Sequence, residues 1–313
     1  MSKGLNRFAI LVACATFFLI IAGALVTSND AGLATPDWPL SNGQFLPPMV
    51  GNLFWEHGHR MVATTVGILT IVLAVYIRIK EKREWVWKLG FFALLGVIAQ
   101  GLLGALTVKM MLPLPVSTAH ATLAQLFFCT TVSLAVFTSR SWMEARPLPE
   151  EPKGTFPLRY LCTAALVTIF LQLILGATLR HSATWDKHLP TELILAHIAG
   201  ALAVTITLGS AALTTLRRHK DTPFLSRPAV IALSLLVVQL FLGIAAYLTR
   251  LASPSDPQPL NPMIAITVAH VACGALVFVT TIVLTLRTYR VLNGSFVGAA
   301  LRGRPSSPTG LVS

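Results

Sequence analysis

The sequence predicts an all-α integral membrane protein with eight transmembrane helices, arranged as two pseudo-symmetric four-helix bundles. Hydrophobic residues make up 54% of the 313 positions and charged residues only 12%, which is outside the usual balance of soluble domains. Eight apolar runs each approach the roughly 20 residues that a bilayer-spanning helix needs. The polar motifs of the first four runs recur in the last four, which predicts that the two halves are related.

The eight predicted spans are helical because backbone polar groups cannot be hydrated inside the bilayer. The first is expected to be a retained helix, since its apolar run is longer than the about 7–15 residues of a secretory signal. Because no extended Arg- and Ser-rich leader precedes it, a bacterial inner (cytoplasmic) membrane is the expected location. The predicted boundaries are about 7–27, 61–79, 90–110, 118–138, 160–180, 193–215, 229–249 and 263–287.

The net charge of +12 follows the topology and does not indicate nucleic-acid binding. Nineteen of the 24 lysines and arginines lie at the N-terminus, in every second connection and in the tail. Only Arg60, Lys109, Arg180, Lys187 and Arg250 remain for the other side. By the positive-inside rule both termini are expected to be cytoplasmic. Attraction to anionic membrane lipid is expected as a consequence of this charge.

A repeated pattern, Gln-x-x-Leu-Gly, divides the chain into two halves. It begins at Gln100, Gln172 and Gln239, and a weaker form ends at Gly23 in the first span. Each glycine is expected to allow close helix packing, and each glutamine to bond either across helices or to a ligand. The predicted domains are an N-terminal half, a cytoplasmic linker, a C-terminal half and a disordered cytoplasmic tail, at residues 1–139, 140–157, 158–290 and 291–313.

Four histidines point to a chemical function, because they recur at matched places near the start of every second span. They are His59, His120, His197 and His270. Each half would supply two imidazoles from facing helices, which suits the axial ligation of a haem iron. A single intramembrane histidine could simply bond to a neighbouring helix, but four matched ones favour two haem sites. The chain has no CxxC, HExxH or CxxCH motif, so a zinc site or thioether-linked haem is not indicated.

Glu56 suggests chemistry beyond electron transfer. If the second helix begins at or before Trp55, Glu56 and His59 share a face, with β-carbons about 5–6 Å apart. A carboxylate there could accept a proton or stabilise positive charge that develops on a porphyrin substituent. The alternatives are an interfacial cap and an ion pair with Arg60. His57 is off that face and is expected in a loop or at the interface.

Arg180 and Arg250 follow the glycines of the fifth and seventh spans by four and seven residues. Both are expected at the outer end of the bundle. Arginine binds carboxylates well, so either residue could hold a haem propionate. Snorkelling of the side chain to the interface is the other interpretation.

From about residue 7 to 290 the chain resembles the haem A synthase family. The resemblance lies in the stretch Gly32-Leu-Ala-Thr-Pro-Asp-Trp-Pro-Leu40, in Asn42-Gly-Gln44, in Glu56-x-x-His-Arg60 and in the histidines of spans four, six and eight. It implies oxidation of the C8 methyl group of haem O to a formyl group, which gives the haem A of terminal oxidases. His59 and His120 would flank haem O, and Glu56 would be catalytic. His197 and His270 would bind haem b as an electron relay.

One departure from the family concerns the first outer loop, where many relatives have a cysteine pair. Thr35 and Ser41 stand at the matching positions here, so a loop disulfide or thiol relay is not expected. The electron donor, the oxygen source, contact with a haem O synthase and formation of a homo-oligomer are left open. A dihaem b-type electron-transfer protein without haem-modifying activity is the main alternative function, and a transporter with duplicated halves is a third.

Overall fold

The computed structural model describes residues 3–149, 151, 154–186, 190–252 and 261–292. Within these residues the secondary structure consists of helices and one isolated β-bridge between Ser41 and Gln44. The helices are α1 (Lys3–Ser28), α2 (Gly51–Lys80), α3 (Glu84–Lys109), α4 (Leu114–Phe137), α5 (Arg140–Glu144), α6 (Leu158–Asp186), α7 (Thr191–His219), α8 (Pro223–Ala252) and α9 (Asn261–Leu292).

Eight of the described helices are long and apolar enough to cross a membrane, namely all except α5. The shortest has 24 residues, so each extends at least roughly 36 Å and exceeds the hydrocarbon core of a bilayer. The predicted all-α class and the eight spans are confirmed. The chain is a multi-pass membrane protein.

Helix α2 begins at Gly51, about ten residues before the predicted start of its span. The continuous apolar run begins only after Arg60, because the residues just before it are polar, namely Glu56, His57, His59 and Arg60. In the structure these polar residues continue the helix, and Glu56 and His57 are buried. Contacts with the preceding loop, which hydropathy does not reveal, supply hydrogen-bond partners to Glu56, Arg60 and the Nδ1 atom of His57.

The linker between the halves contains α5, a short helix that the sequence analysis did not predict. The Ser139 side chain caps it by accepting a hydrogen bond from the Trp142 backbone N–H at 3.2 Å. Trp142 is 1% exposed, and its ring meets the edge of Phe137 with centroids 4.9 Å apart. The predicted disordered tail lies outside the described residues beyond Leu292, up to which α9 continues.

The eight long helices pack in two groups. Helices α1 to α4 contact one another in sequence, and α4 also closes against α1. Helices α6 to α9 repeat this arrangement, with α9 against α6. The groups meet where α1 and α4 contact α6 and α9. This packing is compatible with two pseudo-symmetric bundles and gives each half four helices around its histidines.

Proline sets the starting points of the helices that carry three of the histidines. Pro113 precedes α4 and Pro190 precedes α7, each seven residues before its histidine. In α9, Pro262 is the second residue and precedes His270 by eight. Proline is tolerated in a first turn, where the backbone N–H has no helical partner. Each of these histidines is therefore about two turns from the start of its helix.

Candidate functional site: four histidines and a buried glutamate

Each of the four histidines lies against a glycine of the preceding transmembrane helix. An ideal Cβ on these glycines would lie only 3.0 to 3.3 Å from the histidine Cε1 atom. The pairs are Gly23 with His59, Gly104 with His120, Gly176 with His197, and Gly243 with His270. The glycines therefore do provide close helix packing, and what they admit is an imidazole ring.

The three glutamines of the repeat bond to the histidines across the helix pairs. Gln100 Nε2 donates to the His120 carbonyl at 2.9 Å, and Gln172 Nε2 to the His197 carbonyl at 2.8 Å. The same amide nitrogens lie 3.4 Å from His120 Nε2 and 3.1 Å from His197 Nδ1. Gln239 Nε2 lies 3.3 Å from His270 Nε2. Of the two interpretations of these glutamines, the cross-helix bond is the one observed.

His59 lacks such a glutamine, because Leu19 stands four residues before Gly23. Its Nδ1 atom is buried without a hydrogen-bond partner among the described residues. The glutamines of the repeat therefore restrain the rings of His120, His197 and His270 but not that of His59. This asymmetry distinguishes the N-terminal half from the C-terminal half.

The histidines are paired within each half. The His197 and His270 ring centroids are 6.4 Å apart, with ring planes at 64°. Two imidazoles bound to one metal through nitrogens at about 2 Å would have centroids roughly 6 Å apart. His59 and His120 are electrostatic neighbours in the other half. The His197–His270 pair therefore has the separation that axial ligation of a haem iron requires.

Other buried atoms agree with a haem-sized ligand at each pair. The Nδ1 atoms of His120 and His270, and the Oε1 atoms of all three repeat glutamines, are buried without a partner in the described part of the chain. Within the same residues no three His, Cys, Asp or Glu side chains cluster to hold a metal ion. A metal here would need further ligands of its own, which the porphyrin nitrogens of haem supply.

Glu56 is buried, with 4% of its surface exposed, one helical turn before His59. One carboxylate oxygen forms an ion pair with Arg60, and the other accepts a hydrogen bond from the Thr35 backbone N–H at 3.1 Å. The ion pair considered from the sequence is therefore present. Glu56 does not cap the helix, because α2 begins five residues before it, at Gly51. Both oxygens are held in one orientation beside a histidine.

Arg60 connects Glu56 to the loop between α1 and α2. Its Nη1 donates to the carbonyls of Asp37 at 2.9 Å and Leu40 at 2.6 Å, and to the Ser41 hydroxyl at 3.2 Å. Its Nη2 pairs with Glu56. Arginine suits this position because its planar group presents several donors in fixed directions. Arg60 therefore fixes the loop and the carboxylate relative to each other.

A tight turn orders the end of that loop. Ser41 and Gln44 exchange backbone hydrogen bonds of 3.0 and 3.1 Å, and Asn42 and Gly43 have φ of 53° and 73°. Positive φ at both central residues is typical of a type I′ turn. Asp37 accepts backbone hydrogen bonds of 2.8 Å from both residues. The Gly43 N–H, followed by the Thr35 hydroxyl, lowers the Asp37 pKa below its usual value.

Of the two positions expected for His57, the loop is wrong, because this residue is in α2, where it is 5% exposed. Its Nδ1 lies 2.9 Å from the Ser41 hydroxyl oxygen. The same hydroxyl accepts a hydrogen bond from Arg60 Nη1 at 3.2 Å, so Ser41 joins His57 to the contacts of Arg60. The other ring nitrogen of His57, Nε2, is buried without a partner among the described residues.

Arg180 contacts the opposite half of the protein. It donates to the Ser28 hydroxyl at 2.7 Å and lies 3.5 Å from the Ala24 carbonyl, both in α1. It is also an electrostatic neighbour of His270. Arg180 therefore does not extend freely to the interface but lies between the two halves. Arg250 is half-buried in the last turn of α8.

Sequence reasoning missed how Thr35, Ser41 and His57 take part in the site. Thr35 and Ser41 are both fully buried, and each contacts the first turns of α2 through a hydrogen bond. The signal was present, since both lie in the loop stretch that carries the family resemblance. Their contacts depend on how that loop folds back over α2, which no local pattern shows.

Comparison with known proteins agrees with these features. Residues 6–186 match the family model COX15-CtaA, described as cytochrome oxidase assembly protein. The chain is 25% identical over 280 residues to a heme A synthase of Geobacillus kaustophilus, covering 80% of this chain and 84% of that protein. It is 24% identical over 278 residues to a heme A synthase of Bacillus licheniformis, covering 80% and 88%.

A third relative matches a shorter segment at higher identity. A heme A synthase of Caulobacter is 33% identical over 145 residues, which cover 42% of this chain and 40% of that protein. The family model matches more than half of the chain and includes the loop, Glu56, His59 and His120. The chain therefore belongs to the COX15-CtaA family of cytochrome oxidase assembly proteins, the haem A synthase family that its motifs resemble.

Proposed function

We propose that this protein is a haem A synthase, an oxidoreductase that converts the C8 methyl group of haem O to a formyl group. The observation that carries the proposal is Glu56, a buried carboxylate held by Arg60 and the Thr35 N–H one turn from His59. A pure electron-transfer protein has no need of a buried acid at this place. The relatives named heme A synthase support the same conclusion.

In this proposal the N-terminal half, residues 1–139, binds the substrate. His59 and His120 are the axial ligands of haem O, seated against Gly23 and Gly104. Glu56 is the catalytic residue, which accepts a proton or stabilises positive charge that develops at the reacting substituent. Its fixed orientation supports this role, since catalytic groups act best when they are positioned before the reaction.

The reaction defines what the site must supply. The methyl group is oxidised first to the alcohol and then to the hydrated aldehyde, which loses water to give the formyl group. Each oxidation removes two electrons from the substituent carbon. Each oxidation therefore requires an external oxidant that accepts these electrons and a source of the added oxygen atom, and the protein's task is to bind and orient the reacting substituent.

The C-terminal half, residues 158–290, binds the cofactor haem b in this proposal. His197 and His270 are its axial ligands, and the bound haem would supply one-electron transfer. Arg180 and Arg250 would bind haem propionates. The link from Arg180 to Ser28 of α1 supports such a role, because it brings a cation to the boundary of the two halves.

The proposed location is the inner (cytoplasmic) membrane of a bacterium, with both termini in the cytoplasm and the histidines in the outer leaflet. The distribution of lysine and arginine supports this orientation. Haem O and haem A are the substrate and product. A haem O synthase and a second copy of this chain are further partners to be tested.

The proposal is tested by extracting haems from membranes of a host that makes haem O but no haem A, with and without this protein. Mass analysis should detect the hydroxymethyl and formyl derivatives only when the protein is present. Recovery of unmodified haem O and haem b alone, from folded and haem-loaded protein with a verified electron supply, would contradict the proposal. That result would favour the dihaem electron-transfer function.

A further inference from the structure

A groove of about 640 Å³ opens at the arginine-rich end of the bundle, opposite the histidines. Its volume is within the range of roughly 300–1,000 Å³ that is typical of small-molecule sites. It lies between α4, the linker helix α5, α8 and α9. Its lining residues are Val132, Ser141, Pro223, Phe224, Arg227, Pro228, Ile231, Val279, Thr280, Val283 and Arg287.

Pro228 helps to fix one arginine in this groove. Proline has no backbone N–H, so the carbonyl four residues earlier, that of Phe224, loses its helical donor. Arg287 Nη1 donates to this carbonyl at 3.1 Å. The Arg287 guanidinium also lies over the Phe224 ring, 4.8 Å from its centroid. The sequence of α8 therefore places a cation from α9 at the mouth of the groove.

The groove carries positive charge without an anion. Arg227 and Arg287 are close enough to repel each other electrostatically. No carboxylate lines the groove, and Arg287 Nε is buried without a hydrogen-bond partner among the described residues. Two neighbouring guanidiniums are more stable when an anion lies between them, and phosphate oxygens accept several such hydrogen bonds.

The inner part of the groove is apolar. Val132, Ile231, Val279 and Val283 line it at the depth of the membrane-spanning helices. A ligand that fits both parts must have an anionic head and a hydrocarbon tail. We propose that this groove binds an anionic phospholipid of the adjoining leaflet, with its phosphate between Arg227 and Arg287 and an acyl chain along the apolar wall.

A second groove offers a comparison within the same molecule. It has a volume of about 220 Å³ and is lined only by apolar side chains of α4, α6 and α9. It has no group that would select a headgroup. Selectivity for negative charge is therefore expected from the arginine groove alone, which makes headgroup preference the appropriate readout.

The experiment measures lipid binding to the detergent-purified full chain by native mass spectrometry. Phosphatidylglycerol and phosphatidylcholine with identical acyl chains are compared at equal concentrations. Because Arg287 also holds the Phe224 carbonyl, Arg227→Gln is the decisive variant. Arg217→Gln removes the same charge from an exposed position at the same end of the bundle and is the matched control.

Phosphatidylglycerol should bind more tightly than phosphatidylcholine. Arg227→Gln should weaken its binding about fivefold, a typical contribution of one arginine near an anionic headgroup, and leave phosphatidylcholine unaffected. Arg217→Gln should change neither. Equal binding of both lipids, or equal effects of the two variants, would overturn the proposal. Arg227-dependent binding of inorganic phosphate together with equal binding of both lipids would assign the arginines to a phosphate site without a lipid chain.

Discussion

Gly176 and His197 are in direct contact, so closely that a Cβ at position 176 would lie 3.0 Å from His197 Cε1. The same relationship joins a glycine and a histidine in three other helix pairs. A glycine one helix earlier thus determines where each imidazole can lie. The spacing of the Gln-x-x-Leu-Gly repeat relative to the histidines follows from this contact.

Gly176→Ala should displace the His197 ring and weaken haem binding in the C-terminal half. Changes next to a ligand histidine typically reduce metal affinity about 10–100-fold. Haem content and the absorbance spectrum of the purified protein measure the effect. Gly209→Ala is the control, because a Cβ at Gly209 meets nothing within 4 Å. Equal haem content in the two variants would show that the contact does not position the ligand.

The missing glutamine beside His59 predicts that His59 is the ligand most easily released from iron. Leu19→Gln should restore the cross-helix bond and reduce carbon monoxide binding by the reduced, haem-loaded protein. Gln100→Leu should have the opposite effect by freeing His120. The expected change is roughly threefold in each direction, from the energy of about 0.6 kcal/mol per such bond in membranes. Unchanged carbon monoxide binding in both variants would contradict this assignment.

Arg60→Lys should impair the reaction while haem remains bound. Lysine retains the positive charge but cannot hold the loop carbonyls and Glu56 together as the planar guanidinium does. Misplacement of a catalytic group by about 1 Å costs on the order of 10²-fold in rate. Haem A yield per bound haem is the measurement. A haem A yield equal to that of the unaltered protein would show that Arg60 does not position Glu56 for the reaction.

Asp37 should make the stability of the first loop depend on pH. Its pKa is lowered in the folded protein by the Gly43 N–H and then the Thr35 hydroxyl, so it stabilises the fold fully above the unfolded value of about 4. That stabilisation is lost as the pH falls through the folded-state pKa.

The check on Asp37 is limited proteolysis of the loop in the unaltered protein and in Asp37→Ala across a range of pH. The difference in protection should be constant above about pH 5 and should shrink below pH 4. A difference that persists unchanged to pH 2 would show that the carboxylate charge is not responsible.

Much of the architecture could be predicted because membrane-spanning helices need long apolar runs, and only a few types of side chain can bind a metal. The eight spans follow from the hydropathy of the sequence, and the closeness of His197 to His270 was expected from the matched positions of the histidines. The true start of α2 could not be predicted, since Glu56 and Arg60 interrupt the apolar pattern. Their burial depends on a loop that supplies partners from another part of the chain.

The same reason explains why the burial of His57 was not predicted. On a helix taken alone this residue lies away from the face of Glu56 and His59, and a loop or interfacial position was expected for it. Ser41 reaches it only because the Asn42-Gly43 turn folds the loop onto α2. Helix α5 was missed for a related reason, since the packing of Trp142 stabilises it more than its five residues can.

The most direct test of the proposed function is the haem product of Glu56→Gln, compared with Glu84→Gln. Glu56–Arg60 and Glu84–Lys88 are both i,i+4 ion pairs, but the Glu56 side chain is 5% exposed and that of Glu84 is 69% exposed. Glu56→Gln should retain both haems and yield no haem A or only the hydroxymethyl intermediate, while Glu84→Gln should yield haem A normally. A normal haem A yield from Glu56→Gln would contradict the catalytic role of this carboxylate.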